Sequence, residues 1–271
     1  MDASKLTGDS VMGLHPTERL SLRDLLYGLL VPSGDDAAIV IAEAVGGSQP
    51  AFVSQMNAEA NRLGLTDTHF ANPHGLDADG HVSSPYDLLV ITQAAMQDPL
   101  FRQIVATRQI TIQGHWTYNL TNTNLFLGRR PGVIGVKTGH TDNALSAITI
   151  ADQQNGHLLY LTVMHSPNYV PDVTSLLDYF EANDTWATLS LPDSPLAQTG
   201  AAAHPRKLAV GGSANAYLPR WRAAAVSVQL ALGRDSVLRA TDNPDLPPAD
   251  EGTATFYGGG DPLARLPLVQ Q

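Results

Sequence analysis

The chain has 271 residues, 43% hydrophobic and 15% charged, with a formal net charge of −10. This is enough apolar sequence for one large domain, or for one domain and a small companion. The acidic balance and a total of three lysines argue against nucleic acid or an anionic membrane as partner. The absence of cysteine excludes disulfides, thiol catalysis and cysteine-bound metal, and no apolar run approaches the roughly 20 residues that span a bilayer.

The first residues, Met1-Asp2-Ala3-Ser4-Lys5, are polar and contain no apolar signal core. Ser21-Leu22-Arg23-Asp24 has the form of a capping box, a serine followed three residues later by a carboxylate. Leu22, Leu25, Leu26, Leu29 and Leu30 then follow helical spacing up to Pro32. Asp35 or Asp36 opens an alanine-rich helix running to about Val45, and Gly46-Gly47 breaks it. A third helix is predicted from about Pro50 to Leu63, closed by Gly64. Thr66 to Val82, rich in Asn, Pro, Gly, His and Asp, reads as a loop. Ser84-Pro85 starts a helix to about Gln97, and Pro99 restarts a short one. Strands are expected at 108–113, 133–138, 144–151 and 157–164, the last two joined by an Asn155-Gly156 hairpin turn. A helix follows from about Pro171 to Glu181. Residues 190–220 are rich in Ala, Pro, Gly and Ser and suggest a linker or loose strands. Further strands are expected at 224–230, 236–240 and 253–257. The expected organisation is a main domain over 1–184 and a linker with a small β-rich domain over 185–271.

Two motifs carry chemistry. Lys137-Thr138-Gly139 closes the apolar run Gly132-Val133-Ile134-Gly135-Val136. A cation, a hydroxyl and a residue without a Cβ at a strand end suit a substrate carboxylate laid along a sheet edge. About a hundred residues upstream, Ser33-Gly34-Asp35-Asp36 enters the alanine-rich helix. By itself this is also good helix-capping sequence, just as a lysine at a strand end can be no more than a turn residue. The histidines form no His-x-x-x-His pair or ligand-spaced cluster, and Asp77-Ala78-Asp79-Gly80 lacks the later ligands of a calcium loop. No metal and no cofactor is implied. His74, between Pro73 and Gly75, reads as a loop-shaping residue.

Taken together, Leu25 to Leu30 running into Ser33 to Ala38, Asn72-Pro73-His74-Gly75-Leu76, Ser84-Pro85-Tyr86-Asp87, Asn122-Thr123-Asn124 and Gly132 to Thr141 resemble the serine D-alanyl-D-alanine carboxypeptidases, the low-molecular-mass penicillin-binding proteins. The resemblance covers roughly residues 8–180, and the tail around Gly252 to Phe256 resembles that family's C-terminal β-domain more weakly. It implies an α/β chain of the α+β type in the penicillin-recognising, β-lactamase-like transpeptidase fold: an antiparallel sheet flanked by helices, N-terminally incomplete, with a smaller C-terminal β-region. It also implies hydrolysis of the terminal D-Ala-D-Ala bond of peptidoglycan stem peptides through an acyl-serine, outside the cytoplasmic membrane, with β-lactams as ligands if the complete protein is active.

The resemblance assigns a catalytic role to Ser33, as proton shuttle to the leaving amine. Lys137 and Thr138 would bind the terminal carboxylate, Gly139 would admit the substrate backbone, and the His140 backbone N–H would be an oxyanion donor. Asp35 stands where the family usually has asparagine; ionised, it can only accept hydrogen bonds. Two like charges about 5–6 Å apart cost ~3 kcal/mol at an effective dielectric near 20, so Asp35 is expected to weaken binding of a carboxylate-ended substrate.

The family's Ser-x-x-Lys motif is missing. Lysine occurs only at 5, 137 and 207, and Asp2, Ile134 and His204 stand three residues before. That motif belongs upstream of the region that Gly8 to Leu14 resembles. The expectation is therefore a misplaced start or a fragment, unable to complete acyl transfer alone and prone to expose an apolar face. One alternative is a catalytically inactive relative that keeps the peptide-binding groove. A second is a class A β-lactamase-like hydrolase, although none of Glu18, Glu43, Glu59, Glu181 and Glu251 is followed at the fourth position by Asn.

Overall fold

The computed structural model describes residues 10–191, 198–199, 206–211, 214–232 and 252–270. The chain divides into two compact units, Met1–Thr174 and Ser175–Gln271.

In the first unit, α1 (Leu22–Leu30) begins with the Ser21 capping box, Ser21 Oγ accepting from the Asp24 N–H and the Asp24 carboxylate accepting from the Ser21 N–H. Helices α2 (Asp35–Gly46), α3 (Gln49–Arg62), α4 (Pro85–Ala95) and α5 (Pro99–Val105) follow. Gly47 ends α2 in the left-handed conformation, and Ser48, Ser84 and Asp98 cap the next three through their side-chain oxygens. The hairpin of β1 (Gln109–Gln113) and β2 (Thr117–Thr121) places Ile112, Tyr118 and Leu120 against Met12, Tyr27, Val31 and Ile104 in one cluster. Each such fully buried side chain contributes about 1.5–3 kcal/mol.

A three-stranded antiparallel sheet is built from β3 (Val133–Thr141), β4 (Leu145–Gln154) and β5 (His157–Ser166) in that order. Gln154 pairs with His157 across the two-residue Asn155-Gly156 turn, both of whose residues have positive φ. Strand β3 is at an edge, paired to β4 alone among the described residues. Met96 and Val105 pack on Val136 and Ala151, fixing α4 and α5 on this sheet. The unit ends in the first residues of α6 (Tyr169–Asn183).

In the second unit, β6 (Asp184–Leu189) pairs with β9 (Ala214–Pro219). A short helix α7 (Arg220–Ala223) follows β9. The remaining strands, β7 (Gln198–Thr199), β8 (Arg206–Val210), β10 (Val226–Leu232), β11 (Gly252–Gly258) and β12 (Asp261–Gln270), form a five-stranded sheet in the order β10-β11-β12-β8-β7. Leu189, Ala254, Phe256 and Leu268 are its core.

Apart from the short α7, which was not anticipated, helices and principal strands fall where the sequence puts them, with three differences. Strand β2 was not anticipated, although Tyr118 and Leu120 alternate with exposed neighbours. Strand β12 was missed because Pro262 and Pro267 argue against a strand. Both lie in the half of β12 that pairs with β11 alone, so its other edge needs no N–H there. Within 190–220, left open as linker or loose strands, 206–210 and 214–219 form paired strands, and 184–189 just before that stretch pairs with 214–219. The strand expected at 236–240 lies outside the described residues. Among the described residues, no single helix is long and apolar enough to cross a membrane.

Candidate active site

Ser33 lies in the turn between α1 and α2. Pro32 prevents α1 from continuing, and the chain reverses through Ser33 with φ of +67°. A left-handed serine is strained by about 1–2 kcal/mol, and such strain gathers at functional sites. Gly34 completes the turn. Its N–H donates to Gly28 O at 2.9 Å, and a Cβ there would lie 2.7 Å from that same oxygen, so only glycine fits.

The next two residues diverge. Asp35, buried at the start of α2, lines the groove beside Ser33. Asp36 turns inward, and its carboxylate accepts four backbone N–H groups, those of Met12, Gly13, Leu14 and Ala37, at 2.8–2.9 Å. This brace fixes the 12–14 segment to α2 and, with Asp35 N–H donating to Ser10 O at 2.8 Å, immobilises the serine turn.

Lys137, half-buried on edge strand β3, donates from Nζ to Ser33 Oγ at 2.6 Å and to Thr138 O at 2.6 Å. Burial pushes its ammonium down to about 8, against the opposing pull of the Asp35 carboxylate. Thr138 Oγ1 and Thr123 Oγ1 are 2.5 Å apart, and Thr123 N–H donates to Val31 O. The 122–124 segment thus ties the end of α1 to the lysine strand. A Cβ on Gly139 would meet nothing within 4 Å, so the strand edge is open there. His140 is exposed, its Nδ1 3.1 Å from Ser146 Oγ.

One cavity of about 590 Å³ is lined by Ser33, Asp35, Lys137, Thr138, Gly139 and His140. Ser10, His74, Thr123, Thr141 and Tyr169 also line it. Thus the six residues singled out in the sequence, from segments a hundred positions apart, meet in one groove. The 66–82 loop supplies one wall. Asp87 holds its start, accepting from Asp67 N–H and Thr68 Oγ1. Asp77 holds its end, accepting from Thr141 Oγ1 at 2.7 Å and Asn143 N–H at 3.2 Å. His74 Nδ1 accepts from Leu76 N–H, so this histidine shapes the loop and also faces the groove. No group of three His, Cys, Asp or Glu side chains among the described residues is arranged to hold a metal.

Sequence reasoning missed Thr123, Asp36 and Asp77. Thr123 sits inside the Asn122-Thr123-Asn124 motif and could have been named from it. The other two aspartates carry no local signal, because most of their partners are distant in sequence: the N–H groups of Met12, Gly13 and Leu14 for Asp36, and the Thr141 hydroxyl and Asn143 N–H for Asp77.

A family model described as D-alanyl-D-alanine carboxypeptidase matches residues 1–168. The chain is 34% identical over 181 residues to the D-alanyl-D-alanine carboxypeptidase DacF of Bacillus subtilis, covering 64% of this chain and 46% of that protein. It is 41% identical over 138 residues to DacA of Escherichia coli, covering 51% of this chain and 34% of that protein. The chain therefore spans less than half the length of these two curated relatives. Among solved structures, a mutant of the Streptomyces K15 DD-transpeptidase superposes with a TM-score of 0.61 at 32% identity, over 64% of this chain and 73% of that one. Penicillin binding protein 5 from Haemophilus influenzae superposes with a TM-score of 0.75 over 99% of this chain and 78% of that one, at 24% identity, a likeness of fold. The fold is the penicillin-recognising one, helices flanking antiparallel sheet.

Proposed function

The chain belongs to the D-alanyl-D-alanine carboxypeptidase family, and from that membership we propose that the protein releases the terminal D-alanine of cell-wall stem peptides through an acyl-serine intermediate. The observation that carries this reading is the 2.6 Å contact between the Lys137 ammonium and the Ser33 hydroxyl in a groove open along a strand edge. The substrate docks as an added strand beside β3, its C-terminal carboxylate drawn to Lys137 and the Thr138 hydroxyl. Gly139 leaves room for the peptide backbone, and the His140 N–H points to the carbonyl oxygen that becomes negative in the transition state.

In the reaction a serine hydroxyl adds to the penultimate carbonyl carbon and gives up its proton to a neighbouring base. The C–N bond then breaks, and Ser33 passes a proton to the departing D-alanine amine. Water hydrolyses the ester, regenerating the serine. The attacking serine and its lysine form a Ser-x-x-Lys pair in the family, and the 271 residues contain none. What this chain supplies is the carboxylate-binding and proton-returning half of the site, so the isolated chain should not be acylated. Family membership also supports action outside the cytoplasmic membrane and β-lactams as ligands of the catalytically complete protein.

The missing pair and Asp35 in place of Asn favour one other reading, a relative that binds peptides without cleaving them. Labelling with a fluorescent penicillin separates the two. The enzyme reading expects covalent labelling of the natural gene product and none of the 271-residue chain. An unlabelled natural product leaves only the peptide-binding reading, and a labelled 271-residue chain refutes the roles assigned here.

A further inference from the structure

A second cleft, of about 230 Å³, lies between the open end of the β1–β2 hairpin and the turn that follows it. Its lining includes Arg108, Arg129, Gln109, Asn122 and Asn124, and no acidic residue. In a chain carrying ten more negative than positive charges, an uncompensated pair of arginines is unusual. Neither guanidinium has a hydrogen-bond or ion-pair partner among the described residues, whereas Arg62, Arg102 and Arg222 all do.

Arg108 is also held in place. A Cβ on Gly128 would lie 2.6–2.8 Å from its Nη1, Cζ and Nε, so the guanidinium is laid flat on the bare Cα of that glycine. Gly128 has a φ of +70°, which glycine adopts at no penalty. A guanidinium fixed in this way presents its N–H fork with little rotamer entropy left to lose. Asn124 lies in the lining, between Arg108 and Arg129 in sequence. Its Oδ1 accepts from Phe126 N–H, while its amide Nδ2, in a residue only 3% exposed, has no hydrogen-bond partner.

We propose that this cleft binds a small oxyanion, a phosphate or a carboxylate, gripped by Arg108 and Arg129. The cleft shares a wall with the candidate active site. Along the 122–124 segment, Asn122 and Asn124 line the cleft, while the intervening Thr123 reaches Thr138 in the peptide groove. An anion bound on one side would therefore stiffen the segment that positions the lysine strand on the other.

The test is titration of the purified protein with inorganic phosphate and, separately, with acetate, at constant ionic strength, followed by amide chemical shifts. Saturable shifts at Arg108, Asn124 and Arg129 are expected, with a Kd on the order of millimolar. Which anion binds more tightly identifies the headgroup. Arg108→Gln and Arg129→Gln should each weaken binding about tenfold, and Arg19→Gln, which alters an arginine outside the cleft, should leave it unchanged. Gly128→Ala removes no charge but displaces the Arg108 guanidinium, so it should weaken binding severalfold. Two outcomes overturn the proposal: no saturable shift at about 50 mM of either anion, or equal binding by the wild type, Arg108→Gln and Arg129→Gln.

Discussion

In the first unit, buried carboxylates hold loops by accepting distant backbone N–H groups, as Asp36 does with Met12, Gly13 and Leu14 and Asp87 does with Asp67. In the second unit, the backbone is satisfied strand to strand across β6–β9 and β10-β11-β12-β8-β7, and a small apolar cluster around Phe256 supplies the core. A ladder satisfies polar groups but leaves little freedom in where a side chain points. A carboxylate brace can hold an irregular, strained turn such as that of Ser33, which a functional groove requires.

The sharpest way to break this contrast is Asp36→Ala. Four backbone donors lose their acceptor, those of Met12 and Ala37 in a buried site and those of Gly13 and Leu14 in a partly buried one, and unsatisfied buried donors cost about 1–3 kcal/mol each, reduced where water enters. A destabilisation of about 4 kcal/mol is expected in denaturant melts. A loss under about 1 kcal/mol would mean that the brace is incidental. Phe256→Ala is the counterpart in the second unit. It removes a ring only 1% exposed and should cost about 3–4 kcal/mol through the cavity it leaves, with affinity for an acylated D-alanyl-D-alanine peptide unchanged.

Lys137→Ala should reduce that affinity by about 10–100-fold, since hydrogen bonds to a charged group contribute about 1.5–3 kcal/mol. The same ammonium predicts a pH dependence. With its pKa pushed down to about 8, peptide binding should weaken as pH rises through that value. Stability moves the other way. Between about 8 and the ordinary 10.5 the unfolded chain holds a proton that the folded chain has released, so folding gains as pH rises through that window. Isothermal titration at pH 6.5 and 9 reads the first effect, and chemical melts between about pH 8 and 10.5 read the second.

Asp35→Asn sharpens the comparison further, because the Asp35 carboxylate sustains the charge on Lys137 and, under the proposed function, would repel a substrate carboxylate. Peptide binding near pH 6.5 should tighten severalfold, and the pH at which it fails should move downward. Tighter binding with an unmoved pH profile would show that Asp35 does not act on Lys137.

The smallest effect concerns the groove wall. Ala71 N–H donates to His81 Nδ1, which must then be unprotonated. Burial lowers the affinity of this imidazole for a proton, the neighbouring His69 lowers it further, and Asp77 opposes both. The loop should lose stability as pH falls below 6.5, because the unfolded chain then binds protons that the folded one refuses. Faster amide exchange at Ala71 between pH 6.5 and 5 is the expected sign, and pH-independent protection there would contradict it.

Much of this molecule could be read in advance where the cause is local. The Ser21 capping box, Pro32 ending α1 and the Asn155-Gly156 turn act within a few residues, and each element lies where those signals put it. The six groove residues were legible as two family-like motifs. Strand β12 was not, because whether a proline is tolerated depends on which edge of the strand is left unpaired. Asp35 and Asp36 are neighbours of identical chemistry, and nothing local distinguishes them. About 100° of helical rotation separates their side chains, sending one to the groove and the other to four backbone donors.

The sequence alone determined the order of elements, their caps and turns, and the hydroxyl and cation of the two motifs, since propensity and periodicity act over a few residues. Only the tertiary structure brought Lys137 to within 2.6 Å of Ser33, chose Asp36 as the brace, and gathered Arg108 and Arg129 around one cleft. Those outcomes depend on contacts between residues far apart in the chain, whose geometry is fixed by packing rather than by neighbouring sequence.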